Sequence, residues 1–421
     1  MTVRPARWRS TPFAVLSDSQ YRLLFLGTTL AQLAFGMMNV VQGVVAFHLT
    51  GKNSAVGFVS LGQGLAMLFL GPVGGTLSDR LSKRRLLLVA QGCIGIMFAV
   101  VAALIISGLV TVWLLAGATL VMGCMFAVMG PTRQAWVGDL LEGPQLASGI
   151  ALQQLMMNAT RIVGPLVAGS LIATKGVGAG GTYVTMAAVF AVVVSVLALM
   201  DPTPPRKKAH RTSMLGDLRE GVTYIWTSPQ VRMLTLIFVG VVLSGFSYQT
   251  IMPGFLEHVL GHPASQLGVI YGTTATGGIV TTLVLAARRP GGDTSALMFA
   301  FGLALAGSLL LLSMAPGFGA ALAIAALVGA SSSGFQMLNN VSLMQSTDPY
   351  FFGRVMAVTM MAFGVNSIVA YPIGQVADHM GERMTMGLLA ATCFAIVSVG
   401  FAASRIGAPQ RRLDPVIERK L

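Results

Sequence analysis

The sequence predicts an all-α membrane protein of twelve transmembrane helices arranged as two pseudo-symmetric six-helix bundles. Three observations carry this prediction: long apolar blocks, a one-sided distribution of Lys and Arg, and a repeat relating the two halves of the chain. Hydrophobic residues make up 54% of the 421 residues and charged residues only 10%, against roughly 25% charged in soluble domains. So few charges cannot cover a soluble surface of this size. The apolar residues also come in blocks such as Leu86 to Val112, Val184 to Met200 and Leu297 to Met314. Runs of about 20 residues cross a bilayer as helices, because backbone groups in lipid must bond within the segment. The alternation over about ten residues that marks a membrane-spanning β-barrel is absent. The 50 glycines fit close packing of membrane helices.

Taken in order, apolar stretches place the first six spans at about 22–48, 54–78, 85–107, 110–134, 146–173 and 182–200, and the last six at about 230–257, 264–287, 294–314, 317–344, 353–380 and 384–404. The first twenty residues are polar and basic, and Leu23 to Leu49 exceeds the 7–15 residues of a signal-peptide core, so it reads as the first span. A polar stretch, Asp201 to Ser228, separates the halves, and Met214 to Trp226 within it reads as a short interfacial helix. The expected organisation is a bundle at 1–200, a cytoplasmic linker at 201–228, a second bundle at 229–404 and a cytoplasmic tail at 405–421.

Orientation follows from the basic residues, which concentrate on the cytoplasmic side. Of 27 Lys and Arg, only Lys52, Lys175 and Arg383 fall in outer loops and Arg161 lies inside a span; all the others fall on the side of the N terminus. Both termini are therefore expected in the cytoplasm. The same bias accounts for the net charge of +13 without a nucleic-acid partner.

The repeat rests on three pairs. Ser19-Gln-Tyr-Arg-Leu-Leu before span 1 matches Pro229-Gln-Val-Arg-Met-Leu before span 7. Ser54-Ala-Val-Gly-Phe matches Ser265-Gln-Leu-Gly-Val, and Gly164-Pro165 has a counterpart in Tyr371-Pro372. All three recur at about 207–211 residues, as expected of a transporter built from repeated helical bundles.

Between spans 2 and 3 stands Gly75-Thr-Leu-Ser-Asp79-Arg80-Leu-Ser-Lys83-Arg84-Arg85. The cations explain an inward loop; the glycine allows close helix approach, and the aspartate can meet a helix N-terminus or an arginine of a neighbouring span. This stretch resembles the signature loop of the major facilitator superfamily, Gly-x-x-x-Asp-Arg-x-Gly-Arg-Arg, with Ser82 in place of the second glycine. The resemblance implies the major facilitator fold and a gate formed by Gly75, Asp79, Arg80 and Arg84, with Arg133 as a partner for Asp79. The equivalent stretch in the second half, Ala286-Ala-Arg-Arg-Pro-Gly-Gly, lacks the acid, so the gate is expected to be asymmetric. Pro131-Thr-Arg-Gln-Ala-Trp-Val-Gly-Asp-Leu-Leu, Asn158-Ala-Thr-Arg161-Ile-Val-Gly164-Pro165-Leu-Val-Ala-Gly169, Leu260-Gly-His-Pro-Ala-Ser-Gln-Leu-Gly and Gly353-Arg-Val-Met resemble the branch that includes the enterobactin exporter and macrolide efflux pumps. Gly164, Pro165 and Gly169 are also similar to the span-5 motif of exporters that exchange substrate for protons. Physically, Pro165 removes one helix hydrogen bond and permits a bend.

Candidate cavity residues are polar groups within spans. An arginine at mid-membrane costs about 2.5–3.5 kcal/mol on insertion scales, so Arg161 must face protein or a wet cavity. Gln154, Asn158 and Arg161 share one helix face. One reading makes Arg161 a contact for an anionic or carbonyl-rich substrate; the other makes it a buried brace bonded to helix carbonyls and amides. Gln32, Asn39 and Gln42 form a stripe on span 1, which lines the cavity in the fold that the resemblance implies. Tyr248, Tyr271, Gln336, Asn339 and Asn366 complete the set from the second half. No acid sits at mid-membrane, leaving Glu257 and Asp378, near the outer span ends, as candidates for proton coupling; Asp139 and Asp348 read as inner gate residues.

Cys93, Cys124 and Cys393 all fall in apolar runs and suggest neither disulfide nor metal. The five histidines lie outside span centres, which argues against a membrane enzyme, and no phosphate-binding Gly-x-x-x-x-Gly-Lys-Ser/Thr loop is present. No cofactor is expected. The resemblance implies a monomeric multi-pass exporter of the bacterial inner membrane, moving a siderophore, macrolide or other drug-like molecule by alternating access in exchange for protons. An importer or facilitator of the same fold, and a non-transporting scaffold or sensor, are the alternatives.

Overall fold

The computed structural model describes residues 12–80, 82–141, 144–201, 214–287, 294–348 and 350–406. Among them there are helices and no strands, and twelve segments are long and apolar enough to cross a membrane. The first six are α1 (Ser19–Thr50), α2 (Asn53–Arg80), α3 (Lys83–Ile106), α4 (Val112–Leu140), α5 (Pro144–Ala173) and α6 (Gly178–Ala198). A short helix, α7 (Met214–Thr227), follows where the sequence predicts one. In the second half α8 (Pro229–Gly245) and α9 (Tyr248–Gly254) share one span, followed by α10 (Leu267–Ala287), α11 (Thr294–Ser313), α12 (Phe318–Ser346), α13 (Phe352–Met380) and α14 (Glu382–Ile406). Because spans alternate in direction, α1 begins and α14 ends on one face, the terminus face; the opposite one is the far face.

Local chemistry sets the helix ends. Asp18 caps α1 by accepting from the Tyr21 amide at 2.8 Å, and Gly51 closes it at φ +66°, a left-handed position that favours glycine. Thr111 caps α4 through the Leu114 amide. Inside the helices, hydroxyls such as those of Thr29, Ser60 and Thr160 donate to carbonyls one turn back, which satisfies them without an external partner.

The halves pack alike. α2 lies on α4, α3 on α6, and α1 on α5 and α6; correspondingly α10 lies on α12, α11 on α14, and α8 on α13 and α14. Aromatic rings fill the core of the first half, with Phe98 5.3 Å from Phe190 and 6.0 Å from Tyr183 between ring centres. Buried Tyr21 ties α1 to α5 through its hydroxyl, 2.8 Å from the Gly149 carbonyl. The halves meet along two seams, α2 with α13 and α5 with α10.

The seventh span departs from the single helix expected at about 230–257. Phe246 and Ser247 interrupt it, and a π-turn, Phe255–Val259, ends it. Pro253 has no N–H, so the Gln249 carbonyl loses its donor within the helix. The Tyr271 hydroxyl of α10 supplies one at 3.1 Å. At the break, Ser247 Oγ donates to Asn366 Oδ1 of α13 at 2.7 Å. Broken backbone at membrane depth is tolerated where protein or a wet cavity covers it, and this break borders the central cavity.

Candidate substrate cavity and gate

Between the halves lies a cavity of about 500 Å³, within the range of drug-sized ligand sites. Asn39 of α1, Gln154, Asn158 and Arg161 of α5, Tyr248 of α9, Tyr271 of α10 and Gln336 of α12 line it. A smaller chamber of about 160 Å³ shares Asn39 and Tyr271 and adds Gln42 and Asn366. The larger lining reaches Thr282 and Asn340, within about two turns of the helix ends on the terminus face. The cavity therefore extends from mid-membrane toward that face.

Two residues expected in the cavity line neither of these chambers. Gln32, about two turns nearer the terminus face than Asn39, lines neither chamber and is half-buried in α1. Asn339 is fully buried, also outside both. α12 presents Gly329, Ser333, Gln336 and Asn340 to the cavity, and a rotation of about 100° per residue carries Asn339 to the packed side. Its amide atoms have no hydrogen-bond partner among the described residues.

Arg161 is exposed within the larger cavity. No carboxylate lines either chamber, and among the described residues no ion pair involves Arg161. The rest of the polar wall is amide, hydroxyl and phenol, which can accept hydrogen bonds but cannot neutralise a guanidinium. The result is a chamber with one uncompensated positive charge and aromatic sides, Phe246 and Phe363 included.

Glycines set how closely the seams approach. On α5, a Cβ at Gly164 would come 2.9 Å from Cα of Gly36 on α1, and one at Gly169 would come 3.0 Å from the Ser265 carbonyl oxygen. One at Gly268 of α10 would overlap the carbonyl of Pro165. Gly164, Pro165 and Gly169 thus stand where α5 touches both its own bundle and the other half. On the second seam, a Cβ at Gly57 of α2 would overlap the Ala370 carbonyl of α13, and one at Gly374 would come 2.6 Å from the Asn53 carbonyl oxygen.

The far face adds polar bonds between halves. Asp378 at the end of α13 accepts from the Asn53 and Ser54 amides at 2.7 and 3.1 Å, capping α2 with a negative charge. Glu382 Oε1 accepts from Asn53 Nδ2 at 2.9 Å and lies 2.8 Å from His258 Nδ1. Asn53 Oδ1 in turn accepts from the Gly254 amide at 3.3 Å. Glu257 Oε1 lies 3.0 Å from His48 Nε2 and accepts from the Ala264 amide at 3.1 Å. Neither Glu257 nor Asp378 lines a chamber.

At the terminus face, Lys83 pairs tightly with Asp139, joining α3 to α4. Arg84 donates to the Ala198 carbonyl at the end of α6, a favoured place for a cation. Both contacts stay inside the first bundle. Arg133 of α4 holds its buried Nε and one Nη without hydrogen-bond partners among the described residues. Helix α2 continues to Arg80, but the side-chain placements of Gly75, Asp79 and Arg80 lie outside the described residues.

The sequence model of a family described as transmembrane secretion effector matches residues 10–415. The chain belongs to that family. Among its relatives, a staphyloferrin A transporter of Staphylococcus aureus is 24% identical over 91% of this chain and 94% of its own length. The multidrug efflux pump Tap of Mycobacterium tuberculosis is 26% identical over 93% and 94%, and the enterobactin exporter EntS of Escherichia coli is 27% identical over 64% and 65%. Solved structures agree on the fold: the nucleoside transporter NupG superposes with a TM-score of 0.74 over 92% of this chain and all of its own, at 11% identity. A bacterial homologue of the lysosomal transporter Spinster, inward-facing and occupied, gives 0.74 over 94% and 98%, at 12% identity. The protein is a transporter of the major facilitator type, not an enzyme.

Several residues of the cavity and of the far face carry no signal that the sequence analysis used. Thr274, Gly278 and Thr282 line the cavity at four-residue spacing on α10, and that spacing was the available signal; on α12, Asn340 joins the expected Gln336. Gln249 lines both chambers, exposed to them by the break in the seventh span. The Asn53–Glu382–His258 cluster joins residues far apart in the chain and leaves no local pattern.

Proposed function

We propose that the protein exports a small amphipathic molecule that is anionic or rich in carbonyl acceptors. The observation that carries this reading is the solitary charge of Arg161 in a carboxylate-free cavity. A guanidinium aimed into such a space favours carboxylates and multiple carbonyl oxygens, which its fork of donors matches. Siderophore-like acids and macrolide-like lactones both have this chemistry with apolar surface for the aromatic walls. The relatives named as a staphyloferrin A transporter, an enterobactin exporter and a multidrug efflux pump support both the class and the outward direction. The basic terminus face supports a cytoplasmic location for both termini, in a bacterial inner membrane, so that the cavity loads from the cytoplasm.

Export then proceeds by alternating access, the two bundles rocking about the cavity. Protons drive it through Glu257 and Asp378, which hold far-face contacts between halves. In the outward-open state, with these bonds broken, both acids take up protons from the outside; the return to the inward-open state re-forms the bonds to His48 and to the start of α2 and passes the protons to the cytoplasmic side. Asp79 acts as the gate acid on the opposite face, and a single chain suffices. Transport in inverted vesicles tests this: with the lumen acidified, labelled staphyloferrin A or erythromycin should accumulate, and an uncoupler should abolish the accumulation. Accumulation only down the substrate's own gradient would identify a facilitator instead.

A further inference from the structure

Away from the central cavity, a groove of about 1220 Å³ opens on the second half at the terminus face. It lies between α8, the start of α11 and the end of α14. Its floor is apolar, with Ile237 and Phe299 nearly fully buried beneath it. Gly400 keeps the floor deep, since a Cβ there would come 2.8 Å from Ile237 Cγ1 and 3.4 Å from a Phe299 ring carbon. Its walls include Leu236 and Val399, 53% and 69% exposed among the described residues. At its mouth stand Arg232 and Arg405, and its lining contains no carboxylate. Arg232 is steered by the Trp226 carbonyl, 3.3 Å from its Nη1, and sits over the Trp226 ring, a side chain suited to the membrane interface. Arg405 lies over Phe401, 4.9 Å from the ring centre.

We infer that this groove holds one phospholipid with an anionic headgroup, its phosphate between Arg232 and Arg405 and an acyl chain along Leu236, Val399 and Phe299. Three features select this occupant. The groove faces the bilayer, so acyl chains are the apolar material at hand. Its cations cluster at the level of the headgroups, where basic pockets between helices recruit acidic lipids. The N-terminus of α8 lies at the same mouth and adds partial positive charge. Charge complementarity thus sits at one end and apolar depth at the other, the layout of a lipid rather than of a soluble anion. The bound lipid spans three helices of the second bundle and stiffens the end that must move when the cavity closes. This inference does not depend on the direction of transport.

Native mass spectrometry of the purified full chain tests it, with dioleoylphosphatidylglycerol, dioleoylphosphatidylcholine and sn-glycerol 3-phosphate as probes. One phosphatidylglycerol should bind the wild type, and the Arg232→Gln/Arg405→Gln variant should bind it roughly tenfold to a hundredfold more weakly, the loss expected for two charged hydrogen bonds. Gly400→Leu, which fills the floor, should weaken it too with both arginines in place. Equal retention of phosphatidylcholine, unchanged affinity in the double arginine variant, or binding of glycerol phosphate as tight as that of the lipid would overturn the proposal. So would a crosslink between Val399→Cys and Val416→Cys in the intact chain that phosphatidylglycerol does not diminish, because the C-terminal tail would then occupy the groove.

Discussion

The two faces of the transporter are bonded in different ways. At the far face the polar contacts cross between halves: His48 to Glu257, Asn53 to Glu382, and Asp378 to the first amides of α2. At the terminus face they stay within a half or on the linker. Lys83 meets Asp139, Gln20 meets Asp201 at 2.8 Å, and Arg354 meets Glu220 of α7 at 2.9 Å. Among the described residues no hydrogen bond joins the halves on that side. The far face is thus latched by bonds between the halves, while the cavity reaches toward the terminus face. A rocking mechanism needs the opposite arrangement in its other state, so the far-face bonds are the ones that must break.

The largest effect should come from the seam beneath that latch. Gly57→Leu sets a side chain against the backbone of Ala370. Overpacking of about 3 kcal/mol would move the equilibrium away from the far-closed state roughly a hundredfold. Transport should fall to background while the protein still inserts. Ser54→Cys in this background should become labelled from the far face; no gain in labelling would mean that the seam does not hold that face closed.

Within the cavity, Arg161→Ala removes a charged hydrogen-bond donor worth about 1.5–3 kcal/mol. Transport of acidic substrates should drop roughly tenfold to a hundredfold, with cationic substrates little affected and Arg161→Lys intermediate. Initial rates with a matched acid and amine pair decide it. Equal losses for both would assign Arg161 to bracing the bundle, the structural alternative that its exposure in the cavity disfavours.

The latch itself should matter less than either. Glu382 is nearly buried and serves both Asn53 and His258, so Glu382→Gln weakens two contacts, worth about 1–3 kcal/mol together. Labelling of Gln154→Cys from the terminus side should fall as the outward-open state gains population, about tenfold at most. Unchanged labelling would make the cluster a local cap rather than a latch between halves.

How much of this was legible in the sequence follows from what each feature depends on. The spans were legible because apolar length is a local property, and the first-half cavity face was legible because Gln154, Asn158 and Arg161 repeat at helical spacing on one helix. Asn339 failed because adjacent asparagines at 339 and 340 give no means of choosing the inward one; packing against other helices decides. The break in the seventh span needed Tyr271 and Asn366, donor and acceptor from two other helices, and no local window contains them. Glu257 and Asp378 were visible as acids near span ends, but their partners His48 and Asn53 come from the opposite half.

The smallest effect separates a bond from a proton carrier. His48 and Glu257 keep 53% and 30% of their side chains exposed, and exposed pairs contribute about 0.2–1 kcal/mol, less in high salt. His48→Ala should therefore change transport less than about fivefold and leave any accompanying proton flux per substrate unaltered. Glu257→Gln removes the same pair but also the titrating group. If Glu257 carries a proton, this variant must lower the proton flux measured with a pH dye beyond anything His48→Ala does. If the two variants behave alike, the contact is only a bond, and the proposed coupling would rest on Asp378 alone.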